Sequence, residues 1–280
     1  MTAIIESGAT KSDWRLYDKA GSMTVHFSTQ GINVSTMRME VIREILSNGI
    51  AETGCASFDG FYLYTAGVYT DAIRAELKSF LGGLADMGDI DINNDLVAAA
   101  RAAFQHESGI VAIMGTGSNA CFYDGVDIQQ KVHAGGYVLR DDGSASALGT
   151  LFLSDFIKDI VPEEIALEFS KEFDADYSAI VENVYHSQSP SAYLGSLAPF
   201  VVEHYADPYI KDLVDSNFQA FFDRTVRKYD YDSYPVVVVG GFGNACKDIL
   251  LPLAEASGIR ILRFMPSPVE GLVEYHIGRP

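Results

Sequence analysis

The spacing of hydrophobic and polar residues along the chain predicts short strands that alternate with helices. Alternating or continuous apolar runs predict strands over 3–6, 13–17, 23–27, 61–67 and 89–92. Apolar residues at helical spacing predict helices over 39–48, 72–81 and 96–104. Because helices that alternate with strands pack as layers against a sheet, the pattern indicates an α/β protein with at least partly parallel sheets.

The same order of elements begins again near residue 110. A strand over 110–114, a loop of small residues and a strand over 120–123 repeat the opening of the chain. The later elements are, in order, helices over 144–160, 194–204 and 210–227, a strand at "VVVV", a glycine-rich loop and a helix, a strand at "GIRILRF" and a closing helix at "SPVEGLVEYH". This weak internal repeat suggests two similar halves, each opening with a strand, a loop and a strand.

Composition narrows the classes of partner. The chain has 280 residues, enough for one large or two medium domains, and a net charge of −18 with a pI near 4.6. Such a surface repels phosphate backbones and anionic lipids, so neither nucleic acid nor membrane is an expected partner. The cysteines, Cys55, Cys121 and Cys246, are far apart and suggest no disulfide framework. With no signal-like segment or membrane-spanning run, we expect a cytoplasmic protein.

Two loops of small residues could bind phosphate. They are Gly8-Ala9-Thr10-Lys11 and Gly115-Thr116-Gly117-Ser118. Backbone N–H groups in such turns can hold phosphate oxygens, and hydroxyls and a lysine add donors. Each loop alone is better explained as a hairpin turn, but two loops at corresponding places shift the balance towards phosphate binding. Glu6, at the end of the first strand, could hold hydrated Mg²⁺ or could be a solvated edge residue.

Asp95 follows a short strand and opens a helix. As a general base it would orient a substrate hydroxyl and take its proton during phosphoryl transfer. Either Asn94 or Asp95 could instead serve as the N-cap of that helix, and spacing alone favours capping.

The stretch "GGYVLRDDGSASALG" places Asp141 and Asp142 before Gly143 at a helix start. Acidic residues there are stabilised by the helix dipole, but two carboxylates beside a glycine-rich loop could equally bind sugar hydroxyls or metal-bound water. The later "VVVVGGFGN" is not a dinucleotide fingerprint, because Cys246 replaces the third glycine. It can still pack against an adenosine.

Taken together, the motifs resemble a known family. In chain order they are "SGATKSDW", "GIN", "YTAG", "NND", "GTGSN", "GGYVLRDDGSASALG" and "SPVEGL". The ordered set covers nearly the whole chain and resembles the N-acetylglucosamine kinases of the BadF/BadG ATPase family, especially the short bacterial type. The resemblance implies two ribonuclease H-like domains of the actin/hexokinase-like ATPase fold with an interdomain cleft. The implied boundaries are 1–107, 108–268, and a closing helix in 269–280 that packs back on the N-terminal domain.

The resemblance also implies roles for individual residues. ATP phosphates would be bound by Gly8, Ala9, Thr10, Lys11, Gly115, Thr116, Gly117 and Ser118, and the nucleoside by Gly240, Gly241 and Gly243. Asp95 would be the base acting on the sugar 6-hydroxyl, with Glu6 near Mg²⁺. The sugar contacts would be Asn33, Gly67, Asn119, Gly136 and Asp141. The implied activity is ATP-dependent phosphorylation of N-acetylglucosamine, and a homodimer is a family-level expectation.

The chain departs from the family pattern at two places. The family usually has Asp where this chain has Glu6, and Gly-Asp-Glu-Gly where it has Arg140-Asp141-Asp142-Gly143. Arg140 could bind phosphate or form an internal ion pair. The two departures leave open a second function, a non-catalytic sugar or nucleotide sensor on the same fold.

Overall fold

The computed structural model describes residues 1–8, 11–187 and 189–278. Its strands are β1 (Thr2–Ser7), β2 (Lys11–Tyr17), β3 (Met23–Gln30), β4 (Ser57–Thr65), β5 (Asp86–Asn93), β6 (Gly109–Met114), β7 (Ser118–Tyr123), β8 (Ile128–Val132), β9 (Val236–Val239) and β10 (Ile261–Met265). Its helices are α1 (Met39–Thr53), α2 (Asp71–Gly82), α3 (Asp95–Phe104), α4 (Gly136–Leu139), α5 (Ala145–Phe156), α6 (Glu163–Glu172), α7 (Tyr177–Tyr185), α8 (Pro190–Ser196), α9 (Ala198–Glu203), α10 (Pro208–Arg224), α11 (Gly241–Ala245), α12 (Lys247–Ala256) and α13 (Val269–Ile277).

The chain divides into two compact units. Unit 1 contains Met1–His106 and the C-terminal segment that starts at Pro268, so α13 belongs to it. Unit 2 is the continuous stretch Glu107–Ser267. No helix of the described residues is long and apolar enough to cross a membrane.

Unit 1 is built on a five-stranded mixed sheet in the order β3-β2-β1-β4-β5. Strand β1 is central, antiparallel to β2 and parallel to β4. Because side chains alternate along β1, Ala3 and Ile5 join the apolar core on one face, while Ile4 and Glu6 point to the other. The first face carries the buried ring of Trp14, which packs so closely on α1 that a side chain at Gly49 would collide with it.

The opposite face of unit 1 is crossed by α3 and α13. A Cβ at Gly271 would lie 2.5 Å from the carbonyl oxygen of Ala102, so glycine permits the close approach of these two helices. At the C-terminal end of α13, His276 Nε2 lies 2.7 Å from the Tyr64 hydroxyl, to which Arg101 donates at 2.8 Å. Burial and the nearby Arg101 lower the pKa of His276 to about 4, so at neutral pH the ring is uncharged.

Unit 2 repeats the sheet plan in the order β10-β9-β6-β7-β8. Strand β6 corresponds to β1: it is antiparallel to β7 and parallel to β9. Between β8 and β9 the chain forms helices α4 to α10, whose core includes a cluster of edge-to-face rings. The cluster comprises Phe152, Phe156, Phe169, Phe173 and Phe200.

The mixed sheets and the repeated opening confirm the α/β pattern, whereas several details of the middle region were predicted wrongly. The helix expected over 144–160 ends at Phe156, because the backbone turns at Asp159 with φ 57°, and Ile160 is exposed. The helix expected over 194–204 is two helices, α8 and α9, because Pro199 stands in the first turn of the second. The glycine-rich segment after β9 is already helical from Gly241.

Candidate functional site

Glu6 lies on the central strand of unit 1 rather than on a solvated edge, which corrects one of the two sequence interpretations. In the antiparallel pair it stands directly opposite Asp13. Burial, Asp13 and Asp95 together raise the pKa of Glu6 to about 7, and the nearby Lys11 lowers it only in part. We call Glu6 and the two carboxylates that raise its pKa, Asp13 and Asp95, the acidic cluster. Asp13 is paired with Arg15 at 2.9 Å, and a cation beside Glu6 would relieve the repulsion that Glu6 experiences.

Asp95 is not the N-cap of α3. The cap is Asn94, whose Oδ1 accepts from the Val97 amide at 2.9 Å, and Asp95 is the first helical residue. The preference for capping that spacing gave to Asp95 was therefore wrong. Its Oδ1 accepts from the Leu96 amide at 3.0 Å, and none of the ion pairs among the described residues includes it. Burial raises the pKa of Asp95, which makes it a better proton acceptor than an exposed aspartate.

Asn33 and Gly67 meet beside this cluster. Asn33 forms an isolated parallel bridge with Ala66, and its Oδ1 accepts from the Ser35 amide at 3.0 Å. Gly67 has φ +88°, and a Cβ there would lie 2.4 Å from the Ser35 nitrogen and 3.0 Å from Asn33 Oδ1. Tyr69, which sequence reasoning missed, is mostly exposed and interacts with Ser35 and Asp95. Only the three-dimensional fold reveals its place, since a lone tyrosine in a turn carries no sequence signal.

The acidic cluster could supply one carboxylate ligand to a magnesium ion whose other ligands are phosphate oxygens and water. In the part of the chain that the structure describes, no three His, Cys, Asp or Glu side chains are arranged so that they could hold a metal ion by themselves. Mg²⁺ commonly keeps several waters and takes one or two carboxylates, with substrate phosphates completing its shell. Glu6, repelled by its acidic neighbours, is the carboxylate suited to that role. Lys11 is exposed at the start of β2, while Ala9 and Thr10 lie outside the described residues.

The corresponding loop of unit 2 is fixed from several sides. Gly115 donates to the Gly117 carbonyl at 2.9 Å, which closes the turn. The amides of Ala145 and Ser146, at the start of α5, donate to the carbonyls of Gly115 and Thr116, each at 3.0 Å. These bonds hold the loop as a rigid turn against the N-terminus of α5, whose N-cap is Ser144. In unit 1, the equivalent turn is closed by Gly8, which donates to the Lys11 carbonyl at 3.0 Å.

Two of the three predicted nucleoside glycines lie against the end of β6. A Cβ at Gly240, which has φ +129°, would be 2.4 Å from the Met114 carbonyl oxygen and 3.3 Å from the Gly115 nitrogen. A Cβ at Gly243 would be 2.9 Å from Met114 Cβ, whereas Gly241 has open space around it. The fold thus brings Gly240 to the same strand end as the loop Gly115–Ser118.

Two of the three predicted sugar residues of unit 2, Asn119 and Asp141, line one polar cavity of about 210 Å³, whereas the third, Gly136, is not among its lining residues. Gly135 lines the cavity as well. The carboxylate of Asp141 accepts from the Gly136 amide at 2.6 Å, and burial raises the pKa of Asp141 although backbone amides oppose the effect. Gly136, with φ +67°, has no atom within 4 Å of where a Cβ would be, so it leaves open space beside that carboxylate.

Two residues of α10 complete the surroundings of the Asp141 segment and were missed by sequence reasoning. Asn217 is buried; its Oδ1 accepts from the Gly143 amide at 3.0 Å and its Nδ2 donates to the Ser144 carbonyl at 3.2 Å. Arg224 Nη1 lies 3.2 Å from Asp142 Oδ2, and Arg140 Nε lies 2.5 Å from Asp142 Oδ1. Of the two roles open to Arg140, the internal ion pair is the one observed.

Comparison with known proteins gave structural matches only. No family model matches the chain, and no curated protein does. A candidate N-acetylglucosamine kinase from Porphyromonas gingivalis is 31% identical with a TM-score of 0.88, the match covering 100% of this chain and 99% of that one. A second such candidate, from Chromobacterium violaceum, is 18% identical with a TM-score of 0.77 and 98% coverage of both chains. A ROK family glucokinase from Streptomyces griseus, solved with glucose and AMPPNP, is 15% identical with a TM-score of 0.61, covering 98% of this chain and 97% of that one.

Proposed function

The chain belongs to the BadF/BadG-type ATPase family of N-acetylglucosamine kinase-like proteins, and on that premise we propose that it is an ATP-dependent sugar kinase. The proposed reaction transfers the γ-phosphoryl group of ATP to the 6-hydroxyl of N-acetylglucosamine. The observation that carries the proposal is Asp95, a carboxylate released from capping by Asn94, outside the ion pairs of the described residues, and with a raised pKa.

Asp95 would act as the general base. The sugar hydroxyl must lose a proton as it attacks phosphorus, and an aspartate whose pKa is raised takes that proton more readily than an ordinary one. Its position as the first residue of α3 places it where the helix dipole favours a negative charge between turnovers. Asn33 and Gly67, which meet beside Ser35, would hold the sugar for this step.

The nucleotide would be bound chiefly by backbone groups. In-line phosphoryl transfer depends on positioning and on charge neutralisation more than on covalent chemistry. The loop Gly115–Ser118 is already rigid and lies against Gly240, which supports the assignment of the phosphates to the loop and of the nucleoside to Gly240–Gly243. Gly8, Ala9, Thr10 and Lys11 would face the phosphates from unit 1. Mg²⁺, held near Glu6, would neutralise charge on the β- and γ-phosphates.

The sugar would also be bound from unit 2, by Asn119, Gly136 and Asp141. The polar cavity that Asn119 and Asp141 line supports this part of the proposal. The proposal also includes the interdomain cleft that the resemblance implies, where ATP and the sugar would meet. That step rests on family membership, as does the proposal of a homodimer.

The test is a coupled assay of ADP release with ATP, Mg²⁺ and one sugar at a time: N-acetylglucosamine, N-acetylmannosamine, glucosamine or glucose. We expect release that depends on N-acetylglucosamine and exceeds that with the other three. Identification of the product as the 6-phosphate, by phosphorus NMR, tests the acceptor hydroxyl. Release with a different sugar would retain the kinase and overturn the substrate.

A sensor is the second candidate, and the Arg140–Asp142 ion pair is the observation that favours it, because the pair occupies a carboxylate next to a predicted sugar ligand. No ADP release with any sugar, together with a rise in melting temperature on adding N-acetylglucosamine or ATP, would overturn the kinase and support the sensor.

A further inference from the structure

Arg140 has a backbone conformation that its side chain disfavours. Its φ is 71° and its ψ 112°, a region that glycine adopts freely and that other residues enter only when their surroundings hold them there. Only two other non-glycine residues in the described part of the chain have positive φ, Gln105 and Asp159. Some contact of Arg140 must therefore offset the strain.

That contact is with Asp142. Arg140 Nε approaches Asp142 Oδ1 at 2.5 Å, and Arg224, from the C-terminal end of α10, approaches Oδ2 at 3.2 Å. Asp142 is only 9% exposed, so two guanidinium groups share one nearly buried carboxylate. Charge-assisted bonds to a shielded carboxylate are stronger than surface pairs, because solvent screens them less.

The two ion pairs of Asp142 restrain the residue before it in the chain. Asp141 stands between Arg140 and Asp142, and its own carboxylate accepts from the Gly136 amide. The Asp142 carbonyl in turn accepts from Ser118 Oγ at 2.7 Å, which joins this segment to the loop Gly115–Ser118. Rotation of the backbone at Arg140 would move Asp141 within the cavity, and the ion pairs of Asp142 oppose that rotation.

We propose that Arg140, Asp142 and Arg224 form a clamp that orients Asp141 toward the sugar. This proposal rests on the proposed kinase function. The three residues are positioning residues, and the strained backbone at Arg140 is the conformation that gives Asp141 its affinity for the sugar. The ion pairs of the clamp lie on the cavity lined by Asn119 and Asp141, so its loss should weaken sugar binding more than ATP binding, although Ser118 also joins it to the loop Gly115–Ser118.

The decisive variant is Arg140→Gly, because it relieves the backbone strain and removes one side of the clamp together. We expect a melting temperature at or above that of the wild type, with a KM for the sugar raised about tenfold. The KM for ATP should stay within about twofold. Hydrogen exchange of the amides in 133–143 should become faster. Arg140→Lys, which keeps a cation, should recover part of the sugar affinity.

Asp159→Gly is the matched control. It relieves positive φ in the same unit, at a residue outside the cavity that Asn119 and Asp141 line, so it should leave both KM values and exchange in 133–143 unchanged. Arg224→Gln tests the second arm of the clamp and should also raise the KM for the sugar.

The outcomes separate the clamp from the proposed function. If the wild type turns over and Arg140→Gly and Arg224→Gln leave both the sugar KM and exchange in 133–143 at wild-type values, the clamp is wrong and the kinase stands. If the wild type turns over no sugar, the kinase is wrong, and unchanged exchange in both variants would overturn the clamp as well. Faster exchange in the variants would then retain the clamp as the device that orders this segment.

Discussion

The opening hairpins of units 1 and 2 have the same topology and different chemistry. In both, a central strand turns into an antiparallel partner and later pairs in parallel with a third strand. The residue one before the end of the first strand is Glu6 in unit 1, opposite Asp13, and Ile113 in unit 2, opposite Asn119. Unit 1 therefore brings charge to the turn and unit 2 does not.

The turns are also anchored differently. In unit 1, the hydroxyls of Ser7 and Ser12 lie 2.6 Å apart, and Ser7 Oγ accepts from the Ile32 amide at 2.7 Å. In unit 2, the turn is held by the start of α5 and, through Ser118, by the Asp142 carbonyl. The same sheet plan thus carries an acidic cluster in unit 1 and a rigid backbone turn in unit 2.

The largest expected effect is at Asp95. Asp95→Asn removes the proposed base while keeping the side-chain shape, and kcat should fall by about 10²- to 10⁴-fold, measured by ADP release. Asp71→Asn is the matched control, since Asp71 is the first residue of α2, as Asp95 is of α3, and is exposed. An Asp95→Asn enzyme with near-normal kcat would remove the base assignment and weaken the contrast between the units.

Glu6 should make the free energy of unfolding depend on pH, whereas the corresponding residue of unit 2, Ile113, has no titratable group. Its pKa is raised from 4.5 to about 7, so the protonated form favours the fold, and the stability it contributes below pH 4.5 is lost as pH rises through 7. Glu6→Gln should therefore exceed the wild type at pH 8 by about 2 kcal/mol in the free energy of unfolding, and by little at pH 4.5. Urea denaturation at both pH values measures this.

The control for Glu6 is Glu44→Gln, at an exposed position in the middle of α1. Its effect on the free energy of unfolding should be the same at pH 4.5 and pH 8. A difference between wild type and Glu6→Gln that does not change with pH would contradict the acidic cluster.

The last expected effect is on the stability of unit 2. Asn217→Ala leaves the Gly143 amide and the Ser144 carbonyl without their buried partner, which should cost about 2 kcal/mol in the free energy of unfolding. Asn183→Ala, which removes one bond to the Ala179 carbonyl in a less buried place on α7, should cost much less. Equal losses in the two variants would show that the buried bridge contributes no more than an ordinary helix-surface bond.

The sequence predicted most of unit 1 because its strands and helices have one apolar face each. It did not predict α6 and α7, whose buried residues are few: Ile165 and Phe169 in the first and Ile180 in the second. So narrow an apolar stripe gives little periodicity to detect. It overextended α5, because Ile160 continues the spacing of the apolar face although the helix has already ended.

For the candidate site, the sequence located the segments but not their partners. The small-residue loops, Asp95 and the Arg140–Gly143 segment stand out by residue type. Asn217 and Arg224 do not, because their role comes from packing α10 against a segment more than 70 residues earlier in the chain. Whether Asn94 or Asp95 caps α3 also could not be read from spacing, since both side chains can accept the bond.

Helix α13 has a consequence for the order in which the protein is made. It covers the network of Tyr64, Arg101 and His276 on unit 1, yet its residues follow all of 107–267 in the chain. A ribosome, which delivers N-terminal domains first, therefore completes unit 1 last. During translation, the alanine-rich surface of α3 stays uncovered until α13 has been synthesised. Unit 2, which is continuous in the chain, is complete before that point.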